Sequence, residues 1–176
     1  MPIADSSRLA QLLGVLSLAA TDRFRERVDD SLGRSGGHAA ALVHVDAHPG
    51  GSIEELRRVL DVSQPGAVSL AGRLEGDGLL ERRAGPDGRT RALHLTPAGQ
   101  AAARAVLRDR DRELDELVSP LDTTERAALE PLLAKLVSAL ADDRPRALRV
   151  CRMCDRERCC NERVECPLEH TVVTAP

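Results

Sequence analysis

The apolar positions Leu9, Leu12, Leu13, Leu16, Ala20, Phe24 and Val28 recur at three- and four-residue intervals, which predicts a long opening helix with one buried stripe. Gly36-Gly37 ends that region. A shorter helix carrying Ala40, Leu42, Val43 and Ala47 then runs to the breaker Pro49-Gly50-Gly51. The next stretch, SIEELRRVL, sets Ser52 three residues ahead of Glu55. This is the spacing of a capping box, in which each side chain accepts an N–H left unpaired at a helix start. Asp61-Val62 forms a turn, and Ser63 caps a further helix, QPGAVSLAGRLEG, whose first turn tolerates Pro65. Gly66 and Gly72 weaken this helix, and Gly76 or Gly78 ends it in a left-handed conformation.

The hydrophobic period then shortens. After Leu79-Leu80 come two extended pieces interrupted by Gly85, Pro86 and Gly88, and Leu93 and Leu95 alternate with Ala92, His94 and Thr96. This predicts a β-hairpin with one buried face. Thr96 caps a long helix with Pro97 at its first position, striped by Leu107, Leu114, Leu117 and Val118 and closed by Pro120. Asp122 and Glu125 make a second capping box. It opens a helix with Leu129, Leu132, Leu133, Leu136, Val137 and Leu140 on one side, which Pro131 bends or truly starts. Arg144-Pro145 breaks that helix ahead of a cysteine-rich tail.

Helices followed by a hairpin, with two capped helices across a tight turn in the middle, form the plan of a winged helix-turn-helix. The fold class is therefore mainly α with a small β-hairpin wing, flanked by N- and C-terminal dimerisation helices. Four regions follow: an N-terminal dimerisation helix (1–34), a DNA-binding winged helix-turn-helix (35–96), C-terminal dimerisation helices (97–145) and a Cys-rich metal or redox segment (146–176). The flanking helices are too apolar on one side to stay exposed and should bury one another across a two-fold axis. The second helix of the central pair suits a major groove.

Composition narrows this picture. Hydrophobic residues make up 42% of the 176-residue chain but aromatics only 1%, so Leu, Val and Ala must build the core. Lys135 is the only lysine. With a net charge of −3, nucleic-acid contact has to come from a local basic patch. No signal peptide and no membrane-spanning run are visible, so a soluble, cytoplasmic protein is expected. A phosphate loop, a nucleophile elbow and an HExxH motif are all absent, so no enzyme is expected.

DGRTRALHLT, residues 87–96, resembles the wing pattern D-x-R-x-x-x-L-x-L-T of the MarR (multiple antibiotic resistance regulator) family, with GLLERR before it and PAG after. The resemblance runs from about residue 8 to residue 141. It implies a homodimeric transcription regulator, a repressor, on a pseudo-palindromic double-stranded operator. It further implies that Arg89 enters the minor groove at the wing tip and that Asp87 holds it by a charged hydrogen bond. Arginine suits the negative potential of a narrow minor groove because it sheds water more readily than lysine. The family often binds a small, frequently aromatic, anionic effector between its dimer and DNA-binding parts, for which this chain offers few aromatic side chains.

In the recognition helix many members carry Ser or Thr and then Arg, whereas this chain has Val68-Ser69. Gln64, Ser69 and Arg73 remain as polar candidates. Gln64 suits an adenine edge, while Ser69 and Arg73 suit phosphates. A helix-surface salt bridge to Asp77 is an equal reading for Arg73. Arg82 and Arg83 are either a solvated strand face or, with Arg89 and Arg91, a basic hairpin opposed only by Glu81 and Asp87.

Every cysteine falls between residues 151 and 166. The spacing is Cys151-x2-Cys154, then Cys159 with Cys160 adjacent, then Cys166-Pro167, with His170 three residues beyond. Two thiolates of a CxxC turn plus two further sulfurs complete the tetrahedron that zinc accepts. The set is Cys151, Cys154, one of Cys159 and Cys160, and Cys166, with His170 able to replace one. An iron–sulfur cluster is the alternative cofactor, since Cys-Pro also ends ferredoxin-like motifs. Free redox-sensing thiols beside Arg152, Arg156, Arg158 and Arg163 are the third reading. His44 and His48, one helical turn apart, could bind zinc together, although HPG is a common end for this helix in the family. The competing function is a protein-interaction module with a structural zinc site and no DNA binding.

Overall fold

Side-chain caps decide where the helices begin. The structure, a computed structural model, describes residues 3–32, 36–85, 91–160 and 164–172. Ser52 accepts a hydrogen bond from the Glu55 N–H and starts α3 (Ile53–Leu60). Ser63 does the same for α4 (Gln64–Gly76) through the Gly66 N–H, and Thr96 for α5 (Pro97–Val118) through that of Gly99. Each cap satisfies one of the N–H groups that a helix start leaves unpaired. Between α3 and α4, Asp61 takes the left-handed conformation at φ 55°, and its N–H returns to the carbonyls of Arg57 and Arg58. Asp tolerates that conformation better than a branched side chain does. The capping box expected at α3 is only half made, because the Glu55 carboxylate turns to α2, 3.6 Å from His44 Nε2.

α1 (Ile3–Leu32) and α2 (Gly36–Ala47) precede this unit, and β1 (Leu80–Ala84) and β2 (Arg91–Leu95) follow it as an antiparallel hairpin. Leu80 stands opposite Leu95 and Arg82 opposite Leu93. The loop after α2 lies along β2: the Gly50 N–H donates to the Leu93 carbonyl at 2.8 Å, and the Leu93 N–H donates to the Gly51 carbonyl at 2.9 Å. Gly50 makes this turn at φ +89°, which favours glycine.

The core matches the aromatic-poor composition. Leu42, Leu56, Leu74, Leu80, Leu93 and Leu95 meet in one cluster with Ala41, Val45 and Ala103. A second, smaller cluster of Ala39, Val43 and Val106 gathers the half-buried Phe24, Leu107 and Met153 against it. Alanines at the crossings, such as Ala67 and Ala71 of α4, let backbones approach closely.

Outside this core the protomer is unfinished. α6 (Thr123–Ser138) starts on the complete Asp122/Glu125 capping box and runs through Pro131, yet it buries none of its residues. On α1 the first part of the expected stripe stands in solvent, with Leu9 70% and Leu12 55% exposed, while Ala20 and Phe24 further along are half-buried. Among the described residues no helix is long and apolar enough to cross a membrane.

The helix before the tail ends at Ser138, ahead of Arg144-Pro145, and these two residues start the next one. Asp143 caps a new helix there, α7 (Arg144–Val150), because proline lacks only an N–H that the first turn would leave unpaired. α8 (Arg156–Cys159), capped by Asp155, and a final 3-10 turn at Glu169–Thr171 complete the tail. Its own core is small: Ala141, Ala147 and Leu168, with Val137, Val150, Cys151 and Cys166 around them.

Gly99 supplies the sharpest packing constraint. A Cβ there would lie 1.9 Å from the Leu79 carbonyl oxygen, which already accepts the Thr96 N–H at 3.1 Å. Gly99→Ala should therefore lower stability by at least ~1–3 kcal/mol, the usual cost of overpacking. Urea denaturation followed by circular dichroism reads the loss, and an unchanged midpoint would contradict this packing.

Candidate nucleic-acid interface and cysteine centre

α4 divides into two faces. Ala67, Ala71 and Leu74 are buried, which turns Gln64, Val68, Ser69, Gly72 and Arg73 outward. Arg73 Nη2 donates to Ser69 Oγ at 3.0 Å, so two of the expected phosphate-binding side chains are joined along the helix. Nothing lies within 4 Å of the position a Cβ would take at Gly72, so packing within the protomer does not call for glycine there. A bare backbone at that point leaves room for a close-lying duplex.

Val68 is the residue that sequence reasoning passed over. It is 44% exposed in the middle of this polar face, where an apolar side chain suits the methyl group of thymine. Its only sequence signal is its position one residue off the Ala67–Ala71 stripe.

On the hairpin, intramolecular acids reach the arginines first. Arg83 Nε donates to Glu81 Oε1 at 2.9 Å, and the half-buried Arg82 Nε lies 3.4 Å from Glu75 Oε2 on α4. The Arg82 contact is an ion pair without hydrogen-bond alignment, since that nitrogen has no hydrogen-bond partner. Arg91 is exposed at the start of β2. Asp87 and Arg89, the wing-tip pair, lie outside the described residues.

The five cysteines line one cavity of about 160 Å³. Cys151 ends α7, and the Cys154 N–H returns to its carbonyl at 2.9 Å, the tight turn that a CxxC spacing favours. Cys159 ends α8, and Cys166 precedes the final 3-10 turn. The Cys154 thiol is coupled electrostatically to those of Cys151 and Cys159. The Cys154 contact, helped by the charge of Arg144, lowers Cys151 from the ordinary thiol value. That same contact and then burial hold Cys154 far above it, and burial first pushes Cys159 up to about 11. Cys166 is near enough to act by charge on both Cys151 and Cys159.

Cys160 and His170 are engaged elsewhere. The Cys160 thiol donates to the Arg156 carbonyl of its own helix at 3.2 Å, and His170 Nε2 lies 3.0 Å from the Ala141 carbonyl, away from the cavity lining. The opposite wall is α2, with His44 and His48. Their ring centroids are 4.9 Å apart, and burial is the first cause lowering the pKa of each, so both are neutral near pH 7. Among the described residues no three His, Cys, Asp or Glu side chains converge on one point tightly enough to hold an ion as they stand. The thiols ring a space instead.

A separate open groove of about 980 Å³ runs between α2, α5 and the tail. Arg104, Arg108 and Arg112 of α5 line it with Arg158, faced by carboxylates such as Asp46, Asp111, Asp115 and Glu116, and no aromatic ring does.

Comparisons with known proteins agree on the region. Residues 32–90 match the MarR family. The chain is 38% identical over 104 residues to the transcriptional repressor MprA of Escherichia coli K12, a stretch covering 57% of this chain and 58% of MprA. It thus spans under two thirds of the length of the curated relatives it matches. A MarR family protein from Bacillus stearothermophilus superposes with a TM-score of 0.72 at 20% identity, covering 81% of this chain and 99% of that one. MepR, a transcription regulator of the Staphylococcus aureus multidrug efflux pump MepA, superposes with a TM-score of 0.65 at 21% identity, covering 75% and 98%. The fold is that of a MarR-type winged helix.

Proposed function

We propose that the chain is a MarR-family transcription regulator, acting as a repressor, that binds double-stranded DNA as a homodimer. The observation that carries this reading is the outer face of α4, where Gln64, Val68, Ser69 and Arg73 stand exposed on a helix whose other face is locked into the core. Such a helix enters a major groove, with Gln64 and Val68 reaching base edges and Ser69 and Arg73 holding phosphates. The wing tip, with Asp87 and Arg89, extends the contact to the adjacent minor groove. Arg82 and Arg83 contribute less than Arg91, because Glu75 and Glu81 already hold them.

The second copy is argued from α1 and α6. A 16-residue helix with no buried side chain has only marginal stability in water, so α6 needs a partner. Its Leu132, Leu133 and Leu136 and the Leu9–Leu16 stripe of α1 supply the apolar surface for one. A two-fold axis then sets the two α4 helices about one DNA turn apart, ~10 bp between half-site centres.

For the tail, we propose that Cys151, Cys154, Cys159 and Cys166 hold a zinc ion and make the regulator metal-responsive. The engagement of Cys160 and His170 with backbone carbonyls supports this set over one that includes either of them. Oxidants would act on the same thiols. An iron–sulfur cluster would use them too and would colour the protein.

In a salt-titrated anisotropy assay on palindromic DNA, affinity should fall steeply with salt. Arg73→Ala should weaken binding on all sequences and reduce the logarithmic salt slope by about one. Absence of salt-dependent binding would favour the interaction-module reading instead. In sedimentation, the wild type should run as a dimer, and Leu12→Glu with Leu16→Glu as a monomer that loses operator binding; a monomeric wild type would refute the interface. Elemental analysis of freshly purified protein should give one zinc per chain and no visible absorption, whereas iron with sulfide would replace zinc by a cluster.

A further inference from the structure

α7 touches the winged helix at the turn where α3 joins α4. Arg149 of α7 pairs with the Asp61 carboxylate, an exposed contact spanning 88 positions in sequence. Asp61 is the left-handed residue that ends α3, and only Val62 and Ser63 separate it from the first residue of α4. The flank of α7 faces α3 across a groove of about 410 Å³, with Pro145 and Leu148 on one side and Glu55, Arg58 and Val59 on the other. α3 is the element of the body against which α7 packs most, whereas α6 has no comparable contact with α7.

What holds α7 in that position is slight. Its own core consists of two alanines and Leu168 as buried residues, too little apolar surface to order a segment of this length unaided. The cysteines sit at the joints of this segment: Cys151 at the end of α7, Cys154 in the following turn, Cys159 at the end of α8 and Cys166 beside Leu168. α8 is in turn tied to α5, where Arg158 reaches Asp111 at 2.7 Å and Asp115 at 3.6 Å.

We infer that Cys151, Cys154, Cys159 and Cys166, drawn together on one thiophilic divalent cation, hold α7 against the turn between α3 and α4. The metal state then acts on the helix-turn-helix directly rather than through the dimer helix α6. This rests on the reading above that the cysteines bind metal. The thiols ring a cavity before they converge, so ligation has to move the end of α7, and Arg149 and Leu148 move with it.

Hydrogen exchange on the full chain, read by mass spectrometry with and without zinc beside a zinc stoichiometry, tests the coupling. Zinc should slow exchange over residues 53–63 on the order of fivefold or more, the low end of usual coupling strengths. Residues 123–138 should change less. Arg149→Glu places a carboxylate beside Asp61; it should bind zinc with wild-type stoichiometry yet lose most of the protection over α3. If the wild type binds no more zinc than Cys151→Ser, the metal reading itself fails. If zinc binds but α3 gains no protection, or Arg149→Glu keeps all of it, the metal site stands and the coupling is overturned.

Discussion

Large apolar side chains along α1 and α6 stand in water in the protomer, and the functional reading depends on that constraint. Fully burying a leucine is worth roughly 1.5–3 kcal/mol, so a row of half-exposed ones amounts to a substantial driving force. The core of the winged helix cannot absorb them, because α2, α3, α4 and the hairpin already close it with leucine and alanine. Cover from a second copy would complete α6 and fix the separation of the two α4 faces. On the proposed function, DNA reading and dimerisation would be one requirement: a single α4 would have the chemistry for a half-site but no means of measuring the distance to the next.

Electrostatics sharpen which parts can meet DNA. The chain is net acidic, and on the described hairpin Glu75 and Glu81 already neutralise Arg82 and Arg83. Among the described residues of α4 and the hairpin, Arg73 and Arg91 are then the arginines turned outward without such a glutamate. α4 itself is nearly free of charge at its centre, where Val68 and Gly72 lie. A face of that kind discriminates through close fit and methyl contacts more than through bidentate arginine, which leaves affinity to phosphates and the wing.

The helix starts were legible because capping is local chemistry: Ser63, Thr96 and Asp122 cap where their spacing indicated. The hairpin was legible from its period, and the apolar faces of α1 and α6 from their stripes. What the sequence hid is non-local. Glu55 had two competing partners, the α3 backbone and His44, and only the packing of α2 on α3 decides between them. Pro145 is equally compatible with a helix stop and a helix start, and the Asp143 cap makes it a start. Val68 resembles any core valine until its neighbours show which way the helix faces. Between Cys159 and Cys160 spacing could not choose, and only the folded tail shows that the Cys160 thiol donates to the carbonyl of Arg156 in its own helix. Nothing in a linear reading joins Arg149 to Asp61.

That last contact also limits how the tail can act on the body. An exposed arginine–aspartate pair is worth at most ~1 kcal/mol, too little to shift a helix-turn-helix by itself. It can set direction, by choosing the α3–α4 turn as the landing point, while the energy comes from ordering the segment behind it. Without metal, the segment has a small apolar core of Ala141, Ala147 and Leu168 and a few exposed ion pairs to hold it; fastened at four cysteines, as proposed, it would have fewer positions of α7 open to it. The restraint is entropic at its source and becomes mechanical where Leu148 and Arg149 meet α3. In the proposed dimer, a tail built this way would need to touch neither DNA nor the dimer axis to influence both α4 helices, since each copy would carry its own.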